Sequence, residues 1–402
     1  MKRRLLKRAL SVVLAIITIV STGLISANAA QDPTPETDTY YFDIYVAAND
    51  GISGDEFTIA PMFGDTTLKG CTARGEFTLS GFIVSYTDVY TDEECTGVSV
   101  KMLGDNDMYI DKIDMWSTHH PTVKTLYCGD WVTDDKYRIF TFDTDVYEVI
   151  LKTGGAEFSG TDADVSLYIE SKDEDGVITT TERPCVNNLT TDCIAFENSQ
   201  QHTYYIATNT TNHTFHRIGI KLSDAGWFDG WLLEYINVSL VQGTNSHYLG
   251  ARSNTVNQWF ADNDCVYFSS TCGYSTAYKI EIKTKSEKGA GTDADLILSI
   301  NGLPQTVSLL ETAEYYYDRS SFESGYLDSF NIIYNTNEPI EFINFLTITN
   351  DGSGIKPDWY LEYVKITEIT LGGYYRTFTF NYNGWIDAEE TKNLCHPNVV
   401  SY

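Results

Sequence analysis

Apolar and polar residues alternate with a period of two along much of this chain. Ala163, Val165, Leu167 and Ile169 fall on one side of such a run, and Asp164, Ser166, Tyr168 and Glu170 on the other. Ala294, Leu296, Leu298 and Ile300 repeat the arrangement. A period of two with one apolar face predicts a half-buried antiparallel strand. The longer helical period is nowhere convincing, and Gly, Asn and Asp punctuate the runs. Short alternating strands at this spacing predict an all-β chain of antiparallel two-sheet sandwiches, with about eight strands in each.

The two alternating runs are introduced by the same words. "KTGGAEFSGTDADVSLYI" begins at Lys152 and "KTKSEKGAGTDADLILSI" at Lys283. Other landmarks follow in the same order: "YEVILKT" and "YKIEIKT", "FENS" at Phe196 and "FESG" at Phe322, and "WLLEYINV" at Trp231 and "WYLEYVKI" at Trp359. A fixed period of this kind predicts duplicated domains. A weaker first copy precedes them, in which "DNDMYIDKIDM" echoes "KPDWYLEYVKI". Trp131, Trp259 and Trp385 recur 128 and 126 residues apart. The expected division is a divergent unit at 40–144, a second unit at 145–275 and a best-preserved third at 276–402.

The first residues belong to a different pattern. "MKRRLLKR", an apolar stretch and "SANAA" predict a secretory signal peptide over 1–29, and "QDPTPETDT" makes 30–39 a linker. No second long apolar segment follows, so the expected product is secreted and extracellular. Loss of the signal takes Lys+Arg from 27 to 22 against 56 Asp+Glu, and the formal charge from -29 to -34. Such a surface excludes nucleic acid as a partner and suits cations. The eight cysteines of an exported chain favour disulfides, with Cys185/Cys193 and Cys265/Cys272 placed to staple local loops, although spacing alone does not fix the pairing.

The repeated letters resemble the PLAT domain, also called LH2, the module of polycystin, lipoxygenase and alpha-toxin. The resemblance rests on Y-x-[VI]-x-[LI]-K-T, G-T-D-A-D-[VL], F-E, a strand ending in a D-x-G loop, and W-x-L-E-Y-[VI]. It implies tandem eight-stranded sandwiches that bind lipid surfaces or protein partners, often with Ca²⁺, and that carry no catalysis of their own. For the third unit it implies a metal end built from the Gly291 carbonyl, the Thr292 hydroxyl and the carboxylates of Asp293, Asp328 and Asp358, the Asp328 match needing an offset of one residue. Hard Ca²⁺ wants six to eight such oxygens. The plainer reading is that Asp and Gly are turn formers with or without metal.

The second unit keeps Gly160 and Asp162, but His202 stands at the place of Asp328 and Gly230 at that of Asp358. The first offers Asp107 for Asp358 and Asp55 for the first loop. Calcium is therefore expected in the third unit only. Trp227 and Phe228 in "DAGWFDG" are candidate contacts for a membrane boundary. Two alternatives stand beside this reading. One is a glycan- or cell-surface-binding adhesive module using Tyr and Trp as stacking platforms. The other is an enzyme of unknown class, for which no nucleophile elbow, zinc helix or phosphate loop is present. His213–His216 and His119–His120 read as surface polar residues.

Overall fold

The computed structural model describes residues 38–401 apart from 50–52, 65, 68–70, 77–81, 90–93, 104–106, 134–135, 157–158, 162, 186–195, 209–212, 224–229, 244–253, 261–263, 271–273, 303–305, 310–321, 335–339, 341 and 372–375. The predicted signal peptide and most of the linker lie outside the described residues. Among the described residues, no helix is long and apolar enough to cross a membrane.

The chain is all-β, and every strand pairing is antiparallel. Six sheets stack as three pairs, each pair enclosing one core. In the third pair, one sheet runs Leu327–Ile333, Ala277–Thr284, Trp359–Ile369, Arg376–Ile386 and Asn398–Ser401; the other runs Thr306–Ser308, Leu296–Ile300, Phe345–Asn350 and Thr391–Cys395. In the second pair the orders are Gln201–Thr208, Asp145–Thr153, Trp231–Gln242, Asn254–Phe260 and Ile178–Cys185, Val165–Lys172, Thr214–Leu222, Cys265–Ser269. The first pair opens with Phe82–Val89, Asp38–Asn49, Met108–Ser117 and Lys124–Val132.

Alternation decides which residues face in. Leu296, Leu298 and Ile300 are buried while Ile297 and Ser299 are half-buried, and Val165, Leu167 and Ile169 obey the same rule. Each fully buried Leu, Ile or Val contributes about 1.5–3 kcal/mol, so inward residues from two sheets supply most of each unit's stability. A common register ties the three units together. Tyr109 pairs Trp131, Leu232 pairs Trp259 and Tyr360 pairs Trp385, so Met108, Trp231 and Trp359 occupy one structural position.

Neighbouring units touch through buried groups. Arg183, 3% exposed, donates to Asp111 at 2.8 Å and lies over the rings of Tyr109 and Tyr204. The Tyr109 hydroxyl donates to the Tyr205 carbonyl at 2.8 Å, and the Gln242 amide bridges both backbone groups of Tyr127. On the other side, Ala277, Ile369 and Leu371 pack into the core of the second unit.

Cys95, Cys128, Cys185, Cys265 and Cys395 are free thiols. The partners expected for two of them, Cys193 and Cys272, lie outside the described residues.

Candidate functional site

The loop end of the third sandwich is assembled by hydrogen bonds that the second unit duplicates. Thr284 closes its strand, and its hydroxyl accepts the Trp359 indole N–H at 3.0 Å; Thr153 does the same for Trp231, also at 3.0 Å. Both indoles are fully buried, which is why each N–H needs a partner. Phe322 and Phe196 have φ of 60° and 62°, a conformation costly for a bulky side chain. Burial against Trp359 and Trp231 holds them there, with ring centroids 5.9 and 5.0 Å apart.

Their carbonyls then receive the amides of Thr292 and Thr161, both at 3.3 Å. A Cβ on Gly291 would lie 3.0 Å from the Phe322 oxygen, and one on Gly160 would lie 2.9 Å from that of Phe196. Only glycine admits this approach. The Thr292 and Thr161 hydroxyls accept the amides of Ala294 at 3.0 Å and Ala163 at 3.1 Å, turning the chain into the next strand. Gly, Thr and Ala of the repeated GTDAD are therefore framework letters. So is the Thr of each KT.

Asp328 and His202 are one position with two chemistries. Asp328, 2% exposed, accepts the Phe322 amide through Oδ2 at 3.0 Å. His202 Nε2 accepts the Phe196 amide at 3.3 Å. The substitution keeps an acceptor beneath the strained Phe and changes its charge. Burial lowers the His202 pKa from 6.5 and so favours the neutral ring that can accept.

The exposed part of the site is a junction of two turns. The Asp293 amide donates to Lys356 O at 3.4 Å, and the Thr292 hydroxyl donates to Pro357 O at 2.9 Å. Gly354 sits at φ 82°, where a Cβ would meet the Asp293 oxygen at 2.6 Å. Asp351 braces the loop from below, its Oδ1 accepting the amides of Asp295 and Ser353 at 3.0 and 2.9 Å. Asp293 and Asp358 are exposed on the facing turns, and Asp358 Oδ1 accepts the Ala388 amide at 3.1 Å.

Of the five expected metal residues, then, the structure brings Gly291, Thr292, Asp293 and the Asp358 turn together. Asp328 lies beneath them, inside the sandwich. Among the described residues, no three His, Cys, Asp or Glu side chains converge as a metal-binding group. In the second unit Gly160 abuts Phe196, whereas Asp162, Trp227 and Phe228 lie outside the described residues. In the first, half-buried Asp107 precedes Met108, the equivalent of Trp359. Asp55 lies in the strand Ser53–Phe63, with its side chain outside what is described.

Sequence reasoning passed over Ile355. It is 90% exposed, on the loop that carries the Lys356 and Pro357 carbonyls. Counting back four residues from Trp359 and from Trp231 places it opposite Trp227, the signal that would have found it.

Residues 278–395 match the PLAT/LH2 domain. Over a longer stretch the chain is similar to lipoxygenase homology domain-containing protein 1 of Mus musculus, 24% identical over 275 residues, or 66% of this chain and 12% of that protein. The Homo sapiens protein of that name is 24% identical over 263 residues, covering 63% and 12%. The alignments thus span about an eighth of the length of these relatives. Among solved structures, Delta413-417:GS LOX matches at 24% identity with a TM-score of 0.24, over 30% of this chain and 16% of that one. Coral 8R-lipoxygenase, described as calcium-activated through a C2-like domain, matches at 23% and 0.24, over 30% and 17%. The matched stretch takes in the frame from Tyr278 to the strand ending at Cys395.

Proposed function

We propose that this is an exported, non-catalytic binding protein of three PLAT-like sandwiches, and that its third unit docks on a lipid surface with Ca²⁺ held between Asp293 and Asp358. The supporting observation is the pair of hydrogen bonds laying the 291–295 turn against Lys356 and Pro357, with both carboxylates left exposed.

The donor chemistry fits the ion. Two carboxylates on adjoining turns are hard oxygen ligands, and backbone carbonyls and water can complete the shell. With only two acids the site is a weak one, since affinity follows the number of charged ligands. Bound Ca²⁺ would supply the positive charge that a chain of formal charge -29 lacks against anionic head groups. Charge elsewhere on the protein is screened beyond about 8 Å at physiological salt. Ile355 stands beside the two acids, ready for the membrane boundary. Export rests on the N-terminal pattern, and the binding rather than catalytic character is supported by the PLAT/LH2 match and by relatives named for a lipoxygenase homology domain. A protein partner at the same loops is the alternative occupant.

Sedimentation with phosphatidylcholine–phosphatidylserine vesicles tests the reading. The mature chain should pellet with Ca²⁺ and stay in solution with EDTA. Asp293→Ala/Asp358→Ala should abolish pelleting, and Ile355→Ser should weaken it. Pelleting that ignores chelator and variants alike contradicts the proposal.

A further inference from the structure

The first two units meet at a backbone contact that no side chain could share. Gly129, in the strand Lys124–Val132, lies close against the strand Gln201–Thr208 of the second unit. A Cβ on it would sit 2.8 Å from the amide nitrogens of Ile206 and Ala207 and 2.9 Å from the carbonyl carbon of Tyr205. Its φ of 57° lies in the left-handed region, which is a second reason to find glycine there. The third unit separates the two reasons. Asn383 has φ 52° at the same place, two residues before Trp385 as Gly129 is two before Trp131. Both sit where the pairing with the preceding strand shifts register. By count, the second unit also carries asparagine here, at Asn257. Asparagine tolerates this conformation, so the bulge itself accepts it. What demands glycine at 129 is the neighbouring unit.

Side chains from both units close around the contact. The Gln242 amide clasps the backbone of Tyr127: Oε1 accepts its N–H at 2.9 Å, and Nε2 donates to its carbonyl at 2.9 Å and to that of Thr141 at 3.1 Å. The Tyr127 and Tyr205 rings lie 5.0 Å apart, and the Tyr109 hydroxyl donates to the Tyr205 carbonyl at 2.8 Å. Arg183 belongs to the second unit but finds its carboxylate, Asp111, in the first. Its guanidinium lies 4.5 Å from the Tyr109 ring and 4.7 Å from the Tyr204 ring, one from each unit. Its Nε and Nη1 are buried without hydrogen-bond partners. Asp111 and the two rings are therefore what compensate a buried charge. Separating the units would remove all of these contacts together.

We infer that the first and second units form one rigid double module, fitted to each other by Gly129 and Arg183, so that their two loop ends move as a pair at a fixed spacing. The third unit, with Asn383 in the bulge, cannot receive a neighbouring sandwich by the same approach. Neither calcium nor a docking partner is needed for this coupling.

Hydrogen exchange read by mass spectrometry on the whole mature chain tests it. The reporter is the Tyr127 amide, which is accepted across the junction by Gln242 and exchanges when the units part. In the parent, the segments around Tyr127 and Tyr204–Ala207 should exchange as slowly as the core strand Asp38–Asn49. Gly129→Asn should leave that core strand slow, because the bulge tolerates asparagine, while speeding exchange in both junction segments by roughly tenfold or more. Arg183→Met, made in the other unit, should do the same, and it serves if Gly129→Asn fails to fold. Asn383→Gly should leave the junction unchanged. Fast exchange around Tyr127 in the parent would overturn the inference. So would junction exchange indifferent to both substitutions, or faster exchange confined to the first unit with Tyr204–Ala207 unmoved.

Discussion

The second and third units build the same loop end from the same hydrogen bonds and finish it differently. Thr153–Trp231 matches Thr284–Trp359, and Phe196–Thr161 matches Phe322–Thr292. The letters around this frame diverge: Gly230 stands against the exposed Asp358 and, by count along the sequence, Trp227 against the exposed Ile355. The acceptor beneath the frame diverges too, half-buried His202 against buried Asp328. Repetition in the sequence therefore marks what the turn needs in order to exist. The function of each copy is to be sought in the letters that are not repeated.

The largest effect belongs to the frame. Trp359→Ala removes a fully buried indole and strands the Thr284 hydroxyl; about 3–5 kcal/mol should be lost. Trp231→Ala should cost a similar amount. Denaturant unfolding of both variants checks the equivalence, and a several-fold difference would break it.

Asp328 gives the next test, since a ligand and a strut respond differently. Asp328→Ala leaves the buried Phe322 amide without its acceptor, at about 1–3 kcal/mol, and the loss should be the same in EDTA and in Ca²⁺. Stability lost only when Ca²⁺ is present would make Asp328 a metal ligand instead.

A smaller effect separates the two units by pH. The folded second unit holds the His202 pKa below 6.5, so as pH falls below 6.5 the unfolded chain takes up a proton that the folded one resists. Stability should fall from pH 6.5 downward until the folded ring protonates as well. His202→Asp, placing there the residue of the third unit, should reduce the loss in unfolding temperature between pH 7.5 and 5.5. An identical pH dependence in both proteins would remove His202 from the account.

Much of this architecture was legible in the sequence, for physical reasons. Strand alternation is enforced by burial of one face, so Val165-Leu167-Ile169 and Leu296-Leu298-Ile300 declared themselves. The turn-rich spacing and the recurring Trp positions pointed to a repeat, and those three Trp positions share one strand register. The site was legible only in part, because letters do not report direction. Asp328 and Asp358 look alike in a string, but strand register turns Asp328 inward opposite Ile282, while Asp358 precedes its strand and stays exposed. Gly291 read as a bare carbonyl, whereas its close approach to the Phe322 oxygen is what requires glycine. The junction at Gly129 had no signature at all. It is formed by strands far apart in the sequence, whose approach no letter reports.

The smallest structural effect carries the largest functional claim. Asp293 and Asp358 are exposed, so replacing both with alanine should lower thermal unfolding in EDTA only slightly, through the lost hydrogen bond from the Ala388 amide to Asp358. Calorimetric titration of Ca²⁺ into the whole mature chain and into this double variant is the most direct measurement. Saturable heat from the parent that vanishes in the variant is the predicted result. No heat from the parent, or equal heat from both, would contradict a metal-bearing third unit.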